Sequence, residues 1–216
     1  MLFRSGGCRP ASAEFLVELR RRCDEHGSVL IFDEVMTSRL APGGAQERYG
    51  VTPDMTTLGK YLGGGMTFGA FGGRRDLMEA FDPSAGGPLT QAGTFNNNVV
   101  SMSAALAALR SELDPARVAA ANARGDDLRD SLADSFDGAD LSLTVTGMGS
   151  MLTIHAAEPR LLDLLFHHLL ADGLYLARRG FIALSLEIDD DHVEKLLGSV
   201  RSWIGRMATE SGRLVR

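Results

Sequence analysis

The pattern of apolar and polar positions gives the chain two textures. Residues 12 to 26, SAEFLVELRRRCDEH, set Phe15, Leu16, Leu19 and Cys23 at helical spacing behind Ser12, whose side chain suits an N-cap. Gly27 stops that helix. In SVLIFDEV the run Val29 to Phe32 is continuously apolar and ends abruptly in Asp33–Glu34. Such a run predicts a strand buried on both faces, with its acids at the carboxyl end, where ligands of α/β sheets bind. A loop holding Pro42, Gly43, Gly44 and Pro53 leads to DMTTLGK, a short strand running into a turn. MTFGAFGG predicts a further strand and RRDLMEAF a helix. After DPSAGGPLTQAGTFNNN, an Ala/Leu pattern predicts a helix over about 101–112, stopped at Asp114–Pro115, and a second over about 116–136.

From there the texture changes. LSLTVTG and SMLTIHA alternate like strands, PRLLDLLFHHLLADG is amphipathic at helical period, and GLYLARRGFIALSL predicts paired strands. DDDHVEKLLGSVRSWIGRMA closes as a helix, with Asp189 to Asp191 complementing its positive end. The fold class expected is α/β: a sheet domain over residues 1–112, then a smaller α+β domain over 113–216.

Composition narrows the function. At 216 residues and 44% hydrophobic, the chain can bury a sizeable core. The net charge of -6, with both signs interspersed and no basic stripe, argues against nucleic acid as the main partner and gives no reason to expect an anionic membrane surface. No apolar run approaches the roughly 20 residues that span a bilayer, and Arg4 and Arg9 interrupt any leader-like core. Cys8 and Cys23 form no metal-ligand pattern. They read as reduced and structural in a cytoplasmic protein, ahead of a Cys8–Cys23 disulfide.

Of the 22 Lys+Arg, only Lys60 and Lys195 are lysines, and Lys60 stands among seven glycines between Gly59 and Gly73. A guanidinium stays charged, whereas a desolvated amine can become neutral and attack a carbonyl. Little side-chain bulk crowds Lys60, so a flat ligand can approach the backbone. A lysine forming a Schiff base with pyridoxal phosphate needs such a setting, together with an acid for the pyridine nitrogen. Asp33 is the candidate. The plainer alternatives are a solvated loop lysine for Lys60 and a helix-capping acid for Asp33.

The combination IFDEVMT…GGAQERYGVTPDMTTLGKYLGGGMTFGAFGGRRDLMEAF…GPLTQAGTFNNN resembles the class III, fold type I, pyridoxal-phosphate aminotransferases. It is nearest the glutamate-semialdehyde aminomutase branch. The resemblance covers about residues 10–111 closely and the rest loosely. It implies a partial fold type I large domain followed by the small domain, with pyridoxal 5′-phosphate as cofactor. It also implies roles: Lys60 as the imine-forming residue, Asp33 on the ring nitrogen, Val35 against one ring face, and Thr94 donating to the phosphate of a neighbouring subunit in a homodimer. Gly93 would admit that backbone, with Asn96 to Asn98 near the boundary and Gln91 beside the loop without a role. Thr94 has a competing reading as N-cap of the next helix.

Family members are about twice this length, so the resemblance also implies a fragment: half a cofactor site, and a sheet edge and apolar faces left uncovered. The functional expectation is a transaminase or aminomutase polypeptide, weakly active or inactive alone. The alternatives are a non-catalytic remnant that pairs with a full-length homologue, and a fragment that does not fold stably by itself. Glu34, His155, one of His167–His168, and Asp189 to Asp191 read as structural, and no metal site is expected. Arg178–Arg179 reads equally as a substrate-carboxylate contact or as an exposed hairpin.

Overall fold

The computed structural model describes residues 7–139 and 141–214. Arg4, one of the two residues read as interrupting a leader core, lies outside them. Two compact units divide the chain, with the division between Val118 and Ala119; the segment ending at Pro10 belongs to the second unit.

The first unit opens with α1 (Ala13–His26). Ser12 caps it, its hydroxyl oxygen accepting from the Phe15 amide at 3.2 Å, and Gly27 ends it in the left-handed region at φ 63°. Next come β1 (Ile31–Asp33), a short α2 (Gly44–Tyr49), β2 (Met55–Gly59) and β3 (Gly69–Gly73). The sheet order is β1-β2-β3, with β1 parallel to β2 and β3 antiparallel to it. Leu16, Leu30 and Val51 form the small core between α1 and this sheet. The helices α3 (Arg75–Met78) and α4 (Val99–Ala107) follow.

Two expectations need correction here. The strand read as buried on both faces is an edge strand: Leu30 is buried, but Val29 is 45% and Ile31 54% exposed. Its apolar run is written for two covering layers, and among the described residues only one is present. The Ala/Leu helix starts at Val99 rather than near 101 because Asn98 caps it, accepting from the Val100 and Ser101 amides at 3.0 and 3.2 Å. Thr94 is therefore not its N-cap. A π-turn over Ala108–Glu112 finishes the helix. Val99, Met102, Leu106 and Leu109, spaced three, four and three apart, stay exposed along its length, and Phe95 is exposed in the turn before it.

The second unit takes most of α5 (Pro115–Asp137), then β4 (Leu143–Met148), β5 (Met151–Ala156), α6 (Pro159–Ala171), β6 (Phe181–Ala183) and α7 (Asp190–Leu214). Its sheet is antiparallel in the order β4-β5-β6. Leu128, Leu132, Leu152, Ile154, Leu165, Leu169 and Val200 are almost fully buried, and Trp203 packs with them. Gly125 lets α5 lie directly on the β4–β5 turn, since a Cβ there would fall 2.2 Å from the Gly149 carbonyl oxygen. Of GLYLARRGFIALSL only Phe181–Ala183 is strand, because β5 offers it a partner and residues 174–178 have no strand partner among the described residues.

The residues read as structural behave so. His168 lies half-buried against the Ser199 carbonyl at 3.1 Å while His167 is exposed. His155 joins β5 to the Thr146 hydroxyl at 2.7 Å, and burial lowers its imidazole pKa. Asp189 accepts from the His192 amide at 3.0 Å at the start of α7. Of the pair left open between a substrate contact and an exposed hairpin, Arg178 ion-pairs with Asp163 at 2.6 Å and Arg179 lies over the Phe181 ring. Both cysteines are free.

Candidate active site

The parallel pairing of β1 with β2 sets Asp33 opposite Thr57, so Asp33 and Lys60 lie at the carboxyl ends of adjacent strands. Residues two apart on a strand share a face. Asp33 and Thr57 face the same way, and the Thr57 hydroxyl donates to Asp33 Oδ1 at 3.1 Å. Just past β1 the chain turns, and the Val35 amide donates to the same oxygen at 3.2 Å. Gly59, two residues after Thr57, faces Val35: a Cβ there would lie 3.6 and 3.7 Å from the Val35 γ-carbons and 3.2 Å from the Phe68 carbonyl oxygen. Asp33, Thr57 and Gly59 therefore share one face at the sheet end, where the buried Gly59 packs against the Val35 side chain.

Lys60 follows Gly59 with φ at 55°, in the left-handed region. A non-glycine residue there costs about 1–2 kcal/mol. The turn breaks the strand alternation at the exposed lysine. The following turn is firmly held. The Tyr61 hydroxyl donates to Ser38 Oγ at 3.2 Å, and burial pushes that phenol up. Nearby, burial pulls the Arg39 guanidinium down. Gly64, at φ 58°, meets α4 so closely that a Cβ would fall 2.4 Å from the Ala104 carbonyl oxygen.

Glu34, adjacent to Asp33, does different work. It is 1% exposed, and its carboxylate accepts from the Thr37 hydroxyl at 2.6 Å and from the Ala45 and Gln46 amides at 2.9 and 2.8 Å. The helix-capping role weighed above for Asp33 thus belongs to Glu34, at the start of α2.

Thr94 is exposed in the turn 94–97, between Gly93 and the Asn98 cap. A groove of about 840 Å³ opens beside it, lined in part by Phe68, Gln91, Phe95, Asn96, Asn98 and Met102. The strand pairing brings Asp33, Val35 and Lys60 to one sheet end; none of the three, nor Thr94 itself, lines this groove. Among the described residues no cluster of three or more His, Cys, Asp or Glu could hold a metal ion. No described helix is long and apolar enough to cross a membrane.

Two contributors escape the linear reading. Thr57 is recoverable by counting back by two from Gly59 to the face of Asp33. Asp54 is not: it accepts from the Leu30 amide at 2.7 Å, from Arg20 of α1 at 2.9 Å and from Arg74 beyond β3 at 2.8 Å. That hub ties α1 to all three strands at the end of the sheet away from Asp33.

The sequence model of the class-III aminotransferase family matches residues 4–204, and the chain belongs to that family. Its members depend on pyridoxal 5′-phosphate. The β-phenylalanine transaminase of Variovorax paradoxus is 42% identical over 214 residues, covering 93% of this chain and 49% of that protein. Its crystal structure superposes with a TM-score of 0.90, over 94% of this chain and 50% of that one. A transaminase solved with PLP bound is 32% identical with a TM-score of 0.86, over 93% of this chain and 49% of that one. A glutamate-1-semialdehyde aminomutase of Pseudomonas aeruginosa, at 20% identity and a TM-score of 0.80 over 91% and 49% of the two chains, shares the fold. The chain thus spans about half the length of the relatives it matches.

The surface at the sheet end suits the family's cofactor in three respects. A carboxylate stands ready for a ring nitrogen, a branched apolar side chain packs beside a glycine, and an accessible amine follows directly.

Proposed function

We propose that this polypeptide supplies the lysine-bearing half of a pyridoxal-phosphate transaminase site, acting on an amino acid or amino-aldehyde. The observation that carries the reading is the alignment of Asp33 and Lys60 at the ends of paired parallel strands, with the Gly59–Val35 contact beside them. Transamination is favoured over amino exchange within one molecule because the transaminase relatives are 42% and 32% identical, whereas the aminomutase shares only the fold.

Lys60 Nζ would hold the cofactor through its aldehyde carbon and, when free, would move the proton at the substrate α-carbon. Asp33 would hold the proton on the ring nitrogen, and Val35 would pack on the ring beside Gly59. The bound cofactor supplies an electron sink for the bond broken at that carbon. Thr94 serves the phosphate of a second protomer in a homodimer, a reading supported by its exposure and by the exposed apolar stripe of Phe95 and α4.

Borohydride reduction after addition of pyridoxal phosphate, followed by peptide mapping, tests the site. The adduct is expected on Lys60 and absent from Lys195. An adduct confined to Lys195, or none at either lysine, sinks the reading. The expected turnover of the 216-residue chain alone is weak or nil, and vigorous transamination by it would contradict the half-site.

A further inference from the structure

We infer that Thr57 is a positioning residue for the acid of this site, an inference that rests on the function proposed above. The last torsion of an aspartate is broad, so nothing intrinsic fixes the plane of its carboxylate or the direction of its outer oxygen. Here two donors fix it. The Thr57 hydroxyl at 3.1 Å and the Val35 amide at 3.2 Å both reach Oδ1. Oδ2 has no protein donor among the described residues. It is the oxygen left for a protonated ring nitrogen.

The Val35 amide belongs to the backbone of the turn, whereas the Thr57 hydroxyl is a side-chain choice fixed by the strand register, Asp33 opposite Thr57. A residue of the same shape without the hydroxyl would keep the sheet and lose half of the orienting pair. With one donor in place of two, the Asp33 carboxylate plane would be freer to rotate about the Cβ–Cγ bond, and its outer oxygen would no longer be held in one direction. Thr57 itself touches no reacting atom in this scheme; it acts through Asp33.

The test compares two substitutions that separate shape from hydrogen bonding. Thr57→Val keeps the branched shape and removes the hydroxyl; Thr57→Ser keeps the hydroxyl and removes a methyl. Affinity for pyridoxal phosphate is read by absorbance titration of the 216-residue chain, with the borohydride adduct mapped in each case. A hydrogen bond to a charged group is worth enough that Thr57→Val should weaken binding roughly tenfold, with Thr57→Ser staying within about twofold. In an Asp33→Ala background, Thr57→Val should change affinity less than about twofold, because the positioned group is gone. A packing role predicts the reverse order, serine worse than valine, or equal losses in both backgrounds, and either result overturns the inference. Should Asp33→Ala bind too weakly to titrate, the serine–valine order decides alone. Failure of the unmodified chain to form any Lys60 adduct sinks the proposed function and this inference with it. A normal adduct with the wrong order of variants removes only the role of Thr57.

Discussion

Gly59 and Val35 meet across the ends of β2 and β1 so closely that a methyl on Gly59 would touch both Val35 γ-carbons, at 3.6 and 3.7 Å. Those two contacts are ordinary van der Waals distances. The tight one is with the Phe68 carbonyl oxygen at 3.2 Å, which belongs to backbone and must shift. Gly59 is extended, at φ 176°, so no backbone strain opposes alanine there. Gly59→Ala should therefore cost only about 1 kcal/mol in urea unfolding. It should also press on Val35, the residue proposed to pack on the ring, and lower the yield of the Lys60 adduct at least tenfold by order of magnitude. An unchanged yield would show that the ring does not depend on this contact.

Lys60 offers the opposite separation. Its φ of 55° costs a non-glycine residue about 1–2 kcal/mol, and replacement by glycine recovers that while adding some freedom to the unfolded chain. Lys60→Gly should raise stability by about 0.5–1 kcal/mol and abolish the adduct at that position. Lys60→Ala should abolish the adduct without the gain. Destabilisation by glycine would mean that the lysine side chain holds the turn together, which the plainer reading of a loop lysine does not predict either.

Much of this arrangement is legible in the linear order because it depends on local rules. Ser12 and Gly27 bracket α1, and the period of the apolar residues marks α6 and α7. An acid closing a strand 27 positions before a glycine-flanked lysine can be read without any contact map. What is not legible depends on partners. The run from Val29 to Phe32 encodes a strand with layers on both sides, but only a neighbour's presence decides whether Ile31 is covered. Residues 174–178 have strand-like composition, yet among the described residues no strand pairs with them. Asp33 and Glu34 are neighbours with the same chemistry; their roles separate only when α2 folds back to put two amides over Glu34.

That separation is itself testable. Glu34 is almost fully buried with three donors, so Glu34→Gln loses one charge-assisted acceptor and sets an amide hydrogen against backbone N–H groups. It should cost about 2–3 kcal/mol in urea unfolding. Per folded molecule, its Lys60 adduct should stay near the unmodified level. Asp33→Asn should do the reverse, leaving stability within about 1 kcal/mol while cutting cofactor affinity. Exchange of these two phenotypes would mean that the acids have been assigned the wrong way round.

Asp54 gives the pH dependence. Its side chain is 6% exposed, and the Leu30 amide, then Arg74 and Arg20, hold its carboxyl well below the usual carboxylate range. In the unfolded chain an aspartate titrates near pH 4. The unfolded state therefore binds the proton more tightly, and stability rises with pH through this interval. The contribution is fully present above about pH 5 and drains away as the pH falls through 4 toward the folded value. Not all partners count equally. Arg74 is 53% exposed, so solvent screens its pair, and Arg74→Ala should cost much less than loss of the Asp54 carboxylate. Arg20 is 20% exposed, and its partner is the oxygen that the Leu30 amide also uses. Asp54→Asn weakens both links and should cost about 2–3 kcal/mol at pH 7. The two proteins share every other carboxylate, so the difference between their urea-unfolding free energies isolates Asp54. It should be constant from about pH 7 to 5 and shrink steadily below 4. A difference that stays flat down to pH 3 would mean that Asp54 contributes shape and hydrogen bonds alone, and that its charge does nothing for the sheet.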